Sequence, residues 1–256
     1  MPELITRREG NVGWIIFSNP PKRNALTYEM MAALPEAMAR LDRDPQVKVI
    51  ALGGSGRAFV SGADVKEFGA TRGSAGATAT YNHAMDEAYR AVSGARKPTL
   101  ACIHGVCFGV GLSFALYCDM RMCSDDAEFA HQATKLGMAI SIASTKRLMD
   151  IVGASVATDL LFTGRKVGAA EALALRLVHR VIPAGEMDTA FSALAAEVAE
   201  GAPLSLVAAK MSIRGCLGDV DARDVRAATE AVHASEDYKE GPRAFAERRK
   251  PNFRGR

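Results

Sequence analysis

The chain is poor in several features that would point to a particular class of protein. Aromatic residues make up only 6% of its 256 residues, and its formal net charge is only +3. Few aromatic rings leave little material for stacking nucleic-acid bases, and a small positive excess does not by itself indicate a polyanionic partner. We therefore predict no nucleic-acid partner. RNA binding through the basic tail ERRKPNFRGR is kept as an alternative, although no single-strand binding motif accompanies it.

The five cysteines form no disulfide or metal-binding pattern. They are odd in number and lie mostly among apolar residues, and neither CxxC nor HExxH occurs. Zinc sites usually need closely spaced Cys or His ligands, and disulfide frameworks need paired cysteines. We therefore predict reduced thiols, no metal site and a cytoplasmic protein. The N-terminus, MPELITRREGNVGW, also lacks the apolar run of a secretory signal.

The longest apolar stretch, Thr99 to Cys118, has the length of a membrane span but not its composition. It includes His104, Ser113 and several glycines, and it is bounded by Lys97-Pro98 and Asp119. A spanning helix needs about 20 predominantly apolar residues. A buried strand followed by a buried helix fits this pattern better, so no membrane partner is predicted.

Strand, turn and helix patterns follow one another along the chain, as is typical of an α/β protein. Alternating apolar residues around Glu9-Gly10-Asn11 predict a hairpin over Leu4 to Ser18, and Thr27 is a predicted helix N-cap. The small residues of GATRGSAGATAT, at 69–80, predict a mobile surface loop.

Helical patterns dominate the second half of the chain, from Ser144 onward, and Pro203 marks a helix start. No linker divides the chain into independent units. We therefore predict one core, residues 1–198, with a helical C-terminal region, residues 199–256.

Two segments share the design strand, glycine-rich turn, helix: VIALGGSGRAFVSGADV and TLACIHGVCFGVGLS. Peptide N–H groups at a helix start have no intrahelical acceptor and lie at the positive end of the helix dipole. Such groups can hold an oxygen that gains negative charge during a reaction. Ser113 in the second segment also raises the alternative of a serine hydrolase, but GLSFA departs from the GxSxG nucleophile elbow.

Five segments together resemble the crotonase, or enoyl-CoA hydratase/isomerase, superfamily. They are NPPKRNALT, GRAFVSGADVKEF, the HGxxxGxG turn with the CD pair that follows it, AEFA and the terminal FAERRKPNFRGR. The resemblance covers nearly the whole chain. It implies an α/β fold, a crotonase-like ββα spiral with a C-terminal helical trimerisation region, and hence a homotrimer or a dimer of trimers. The implied ligand is an acyl-CoA thioester, with coenzyme A as part of the substrate and no permanently bound cofactor.

The same resemblance assigns roles to individual residues. It places the two peptide N–H groups that hold the thioester carbonyl on Ala63 and on Val110, where the family usually has glycine. The implied CoA-binding positions are Lys22, Arg23, Ala25, Ser61, Asp64, Val65, Lys250 and Phe253. An apolar acyl pocket is expected from Phe68, Tyr81, Met85, Phe108, Met138 and Ile142.

The two glutamates used by the family's hydratases are missing. Their positions fall on Ser113 and Ala133, and serine is a poor base without a partner, whereas alanine moves no proton. Isomerisation or another specialised step at the thioester enolate therefore fits better than hydration, with a non-catalytic acyl-CoA binding protein as the alternative. Asp86 and Ser141 are further acid/base candidates, as are His83, Glu128 and His131. Asp119, in the CD pair, is predicted to be structural.

Overall fold

The computed structural model describes all residues, 1–256, as nine strands and ten α-helices. The strands are β1 (Glu3–Glu9), β2 (Val12–Ser18), β3 (Val49–Gly54), β4 (Thr99–Ile103), β5 (Val106–Phe108), β6 (Met120–Ser124), β7 (Glu128–Ala130), β8 (Val167–Gly168) and β9 (Arg180–Ile182). The helices are α1 (Tyr28–Arg43), α2 (Phe68–Arg72), α3 (Ala75–Gly94), α4 (Val110–Tyr117), α5 (Ile142–Thr163), α6 (Ala169–Ala174), α7 (Met187–Ala199), α8 (Pro203–Cys216), α9 (Ala222–His233) and α10 (Glu236–Ala246).

A six-stranded sheet with the order β1-β2-β3-β4-β6-β9 forms the centre of the fold. The opening hairpin β1-β2 is antiparallel, as predicted, and every later pair in this sheet is parallel. A second sheet, β5-β7-β8, lies beside it. The α/β class predicted from the alternating patterns is therefore confirmed.

Both faces of the inner strands β3 and β4 are buried, which explains their nearly continuous apolar runs. Side chains on one face, such as Ile50 and Leu52, join a core of 38 buried residues with α1, α3 and α4. Their neighbours in the strand, such as Val49 and Ala51, point to the other face and join a smaller cluster with α7. This alternation follows from the two-residue period of a strand.

The predicted starts of two helices are confirmed. The Thr27 side chain accepts from the N–H of Met30 at the start of α1. Pro203 is the first residue of α8, where its missing N–H costs no helical hydrogen bond.

The prediction of a mobile loop at 69–80 is wrong. Helix α2 covers the first residues of this segment and α3 begins at Ala75. The Ser74 side chain accepts from the N–H of Ala77 and so caps α3. The alanines that follow are strong helix formers. Small residues favour a flexible loop only where nothing fixes the backbone, and here the Ser74 cap and the helix propensity of alanine favour α3.

Asp119 anchors the end of α4, and its predicted structural role is confirmed. Its carboxylate accepts from the N–H of Thr99 at 2.7 Å and from the Thr99 hydroxyl at 2.9 Å. The Nζ of Lys210, on α8, lies 2.8 Å from the same oxygen. The carboxylate thus ties the C-terminal helices to the central sheet.

No single helix combines the length and apolar character needed to cross a membrane. Helices α7 and α8 reach that threshold only when they are taken together, and they are bent by 98° relative to each other.

Candidate active site

The loop after β2 and the turn after β3 form one hydrogen-bonded unit. The N–H of Leu26 donates to the carbonyl of Gly62 at 2.9 Å, and the N–H of Asp64 donates back to the carbonyl of Leu26 at 2.8 Å. The Ser61 hydroxyl donates to the carbonyl of Lys22 at 2.8 Å. Three of the predicted CoA-binding residues, Lys22, Ser61 and Asp64, therefore lie together.

An ion pair strengthens this unit. The Lys22 ammonium contacts the Asp64 carboxylate, which is only 5% exposed. Burial alone would raise the pKa of Asp64, but hydrogen bonds from Lys22 and from the Lys66 N–H lower the pKa below its usual value. Asp64 is therefore ionised at neutral pH and holds Lys22 in place.

Asn24, which the sequence reasoning missed, fixes the shape of the loop. It is fully buried, and its side chain donates to the carbonyls of Ser55 and Ala58 and accepts from the N–H of Asn19. The neighbouring Ala25 is also buried, and its carbonyl accepts from the Asn19 side chain at 2.9 Å. That carbonyl is already engaged within the chain.

The N–H of Ala63 is free to bind a ligand. Leu26 and Ala63 form a parallel bridge. Its two hydrogen bonds join Leu26 to the carbonyl of Gly62 and to the N–H of Asp64. The N–H of Ala63 therefore points away from Leu26. No backbone or side-chain acceptor of the chain takes this N–H.

The N–H of Val110 is free for a different reason. Val110 is the first residue of α4, so its N–H has no acceptor within the helix. Gly109 before it has φ 54° and ψ −119°, a conformation that favours glycine. A Cβ at Gly109 would lie 3.8 Å from the Cα of Gly62, so the two turns approach each other closely.

Gly111 allows this approach. A Cβ on Gly111 would lie 2.6 Å from both the Cβ and the carbonyl oxygen of Val60, distances that real Cβ atoms do not show. Glycine at this position therefore lets α4 start directly against the strand-like segment that leads to Ala63.

Ala63 and Val110 lie on the wall of one cavity of about 190 Å³. Its apolar lining includes four of the six residues expected for an acyl pocket, Phe68, Met85, Phe108 and Met138. The other two expectations are wrong. Tyr81 is buried behind the wall, and Ile142 is 90% exposed because it begins α5 with its side chain toward solvent.

No carboxylate lines this cavity. Ser113 and Ala133, which the resemblance predicts at the positions of the hydratase glutamates, both lie in its wall. Asp86 is absent from the lining, whereas Ser141 is part of it. The Ser141 side chain accepts from the N–H of Ser144 at 3.1 Å, so its oxygen already caps α5.

Burial shifts the pKa of two titratable side chains in the lining, and only the first of them suits proton transfer. The Nδ1 of His131 is buried without a hydrogen-bond partner, and burial lowers the pKa of His131, so its ring is neutral at neutral pH. Burial also raises the pKa of Tyr89 far above its usual range, an effect that the adjacent Ser113 hydroxyl partly offsets. Tyr89 therefore keeps its phenolic proton at neutral pH.

Lys250 and Phe253 lie apart from this cavity. Both line a separate groove with Trp14, and the Lys250 ammonium lies 3.0 Å from the Glu200 carboxylate. Within one chain, the structure therefore groups Lys22, Arg23, Ala25, Ser61, Asp64 and Val65 near the cavity, but not the two C-terminal residues.

A second cluster of polar side chains lies on the other side of β4. Cys102, His104 and Asp188 place their ligand atoms within 4.8 Å of one another. Burial raises the pKa of Cys102 to about 12, so a proton occupies the sulfur at neutral pH. Sequence spacing gave no sign of this cluster because Asp188 comes from α7, far along the chain.

Known proteins resemble this chain over nearly its whole length. The sequence model of the family described as enoyl-CoA hydratase/isomerase matches residues 7–256. The enoyl-CoA hydratase EchA19 of Mycobacterium tuberculosis is 32% identical over 261 residues, covering 100% of this chain and 97% of that protein. The peroxisomal Delta(3,5)-Delta(2,4)-dienoyl-CoA isomerase of Arabidopsis thaliana is 31% identical, covering 98% of this chain and 96% of that protein.

A solved structure of an enoyl-CoA hydratase/isomerase family protein from Hyphomonas neptunium superimposes with a TM-score of 0.95 at 32% identity. The superposition covers 100% of this chain and 98% of the Hyphomonas neptunium chain. The chain therefore belongs to the enoyl-CoA hydratase/isomerase family and has the crotonase fold. The relatives include both a hydratase and an isomerase, so membership identifies the family of enzymes and leaves the reaction to the residues of the site.

Proposed function

We propose that this protein binds an acyl-CoA thioester and holds its carbonyl oxygen between the N–H groups of Ala63 and Val110. The observation that carries this proposal is that two unused N–H donors lie on the wall of a single, largely apolar cavity. A thioester carbonyl gains negative charge as its α-carbon loses a proton. Each donor aimed at such an oxygen contributes roughly 2.7–4 kcal/mol to the stability of the transition state.

The reaction proposed is a proton shift through the thioester enolate, as in an isomerase. Two-glutamate hydration has no support, because the lining contains no carboxylate. A neutral imidazole at His131 takes a proton from a carbon next to the double bond, and the electron pair moves into the conjugated enolate. The same proton is then added to the carbon at the other end of the conjugated system. The double bond moves, and substrate and product have the same composition.

Tyr89 and Ser113 have a supporting part in this scheme. The protonated Tyr89 phenol, adjacent to Ser113, supplies a hydrogen bond at the site where a hydratase would carry its first glutamate. Neither group is a base at neutral pH. They orient the acyl group or a water molecule while His131 transfers the proton.

The CoA portion is proposed to lie along the loop that carries Lys22 and Arg23, next to Ser61 and Val65. The proposal includes a homotrimer or a dimer of trimers, in which Lys250 and Phe253 meet the CoA of a neighbouring copy. Apolar side chains exposed on the C-terminal helices favour self-association: Ile213 is 63% exposed and Phe245 is 87% exposed. Sedimentation at several protein concentrations tests the assembly separately from the chemistry.

The chemistry is tested with paired substrates. Purified protein is mixed with trans-3-enoyl-CoA and, separately, with trans-2-enoyl-CoA of the same length, and the absorbance of the conjugated thioester is followed. We expect the absorbance to rise with the first substrate as the double bond enters conjugation. Fast loss of absorbance with the second would show hydration and contradict the proposed reaction.

A non-catalytic binding protein would give a different result. In that case calorimetry detects acyl-CoA binding, but neither substrate reacts. Absence of binding for every acyl-CoA would contradict the acyl-CoA proposal itself.

A further inference from the structure

The wall of the acyl cavity contains one permanent cation, Arg72, at the end of α2. Its guanidinium carbon lies 4.3 Å from the ring centroid of Phe68 and 4.0 Å from that of Tyr81. Its Nη1 lies 3.5 Å from the sulfur of Met138. The guanidinium group is thus held between two aromatic rings and beside a residue of the acyl pocket.

Arg72 has no anionic partner within the protein. Arg72 forms none of the ion pairs of the chain at 4.0 Å or less, and its Nε is buried without a hydrogen-bond partner. The nearby Glu67 is occupied elsewhere, because its carboxylate accepts from the N–H of Tyr28 at 2.8 Å. Aromatic faces offset part of the cost of burying a cation, but they accept none of its hydrogen bonds in the guanidinium plane.

A second unpartnered donor lies next to Arg72. The Tyr81 side chain is 2% exposed and its hydroxyl has no hydrogen-bond partner. Burial raises the pKa of Tyr81, more than the adjacent Arg72 lowers it, so the hydroxyl keeps its proton. Buried polar groups in folded proteins are normally paired, so the surroundings of Arg72 are short of acceptors, and of these two side chains only Arg72 lines the cavity.

We infer that Arg72 binds a carboxylate carried by the acyl group of the substrate, at the end remote from the thioester. This inference rests on the proposed function, since it needs the thioester at Ala63 and Val110. A guanidinium group matches a carboxylate with two parallel hydrogen bonds, and the planar fork is already held by the rings of Phe68 and Tyr81. The substrate class is then the CoA thioester of a dicarboxylic acid.

The inference is tested by calorimetry with matched acyl chains. Succinyl-, glutaryl- and adipyl-CoA are each compared with the CoA thioester of the corresponding ω-methyl ester, which has nearly the same shape but no charge. We expect one chain length to bind roughly 10- to 100-fold more tightly than its methyl ester, as charge-assisted hydrogen bonds to a partly buried guanidinium group predict. In Arg72→Met this preference disappears, while the affinity for the methyl ester stays within a few-fold of wild type.

Two control variants test whether the preference for the carboxylate over its methyl ester comes from the guanidinium group of Arg72. Arg72→Lys keeps the charge but loses the fork, so part of the preference is retained. Arg43→Met removes an exposed arginine at the far end of α1 and keeps the full preference.

Equal affinity of the wild-type protein for each carboxylate and its methyl ester would overturn the inference without any variant. A loss of affinity in Arg72→Met that is the same for both members of each pair would also overturn it, because Arg72 would then contact the CoA portion. Absence of binding for all thioesters would instead overturn the proposed function, so the two failures are distinguishable.

Discussion

Replacing Val110 by proline removes one hydrogen-bond donor from the proposed oxyanion site and little else. Val110 is the first residue of α4, where the backbone N–H has no helical acceptor and proline is well tolerated. Proline is also close to valine in size, so the partly buried contact of Val110 with the main core is largely kept. Loss of one such donor costs roughly 2.7–4 kcal/mol of transition-state stabilisation, which is a 10²- to 10³-fold lower rate.

The assay is the exchange of α-protons of a saturated acyl-CoA in D₂O, followed by mass spectrometry. It reports enolate formation directly and does not depend on which product the enzyme makes. Val110→Ala, which shortens the side chain but keeps the N–H, is the matched control and should lose less than tenfold. If proline and alanine at this position slow the exchange equally while both proteins melt near the wild-type temperature, the reasoning about the N–H is refuted.

Other predictions concern the acid/base groups and the packing that supports the site. His131→Ala should reduce isomerisation at least 10²-fold, as expected for loss of a general base, and a loss of less than threefold would exclude that role. In the wild-type enzyme, activity should fall as the pH decreases through the pKa of His131, with a midpoint below the ordinary histidine value of about 6.5, because burial lowers this pKa and protonation removes the base. Tyr89→Phe should lower the rate by a similar factor at every pH tested, since burial keeps the wild-type phenol protonated throughout the working range. A limb of the wild-type pH profile that disappears in Tyr89→Phe would contradict this. Gly111→Ala should lower the free energy of unfolding by about 1–3 kcal/mol because its Cβ meets the Val60 backbone. Gly76→Ala, with open space around the new Cβ, should be neutral or stabilising. Equal melting temperatures for the two variants would contradict the packing argument.

The two glycine-rich turns could be predicted from sequence because their design is local. Strand and turn follow one another within a short segment in each. The N–H of Val110 is free because α4 starts there, whereas that of Ala63 is free because its bridge to Leu26 uses the neighbouring residues. The prediction that Ser113 and Ala133 stand in place of two glutamates also needs only the sequence, since it follows from the spacing of the motifs that resemble the family.

The residues that give the cavity its chemistry could not be found in the same way. Arg72 lies in a segment whose small residues predict a loop, and its importance depends on Phe68, Tyr81 and Met138 surrounding it in space. Tyr89 had only the pattern of a buried helix residue, because its neighbour Ser113 comes from another helix. Such contacts between distant segments leave no signal in a single sequence.

Lys250 and Phe253 have a predicted role that the structure of a single chain does not show. The resemblance assigned Lys250 and Phe253 to CoA binding, yet they line another groove of the same chain. A local motif carries no information on which copy of a protein completes a site. Their proposed role therefore depends on the assembly and is tested with it.

The central claim is that two peptide N–H groups hold the thioester oxygen, and the stretching frequency of that carbonyl tests it most directly. An acyl-CoA with ¹³C at the thioester carbon is bound to the protein, and the isotope-edited infrared band is compared with that of the free ligand. We predict a shift to lower frequency in the wild-type protein and a smaller shift in Val110→Pro. A band at the free-ligand position in a saturated wild-type complex would contradict the account.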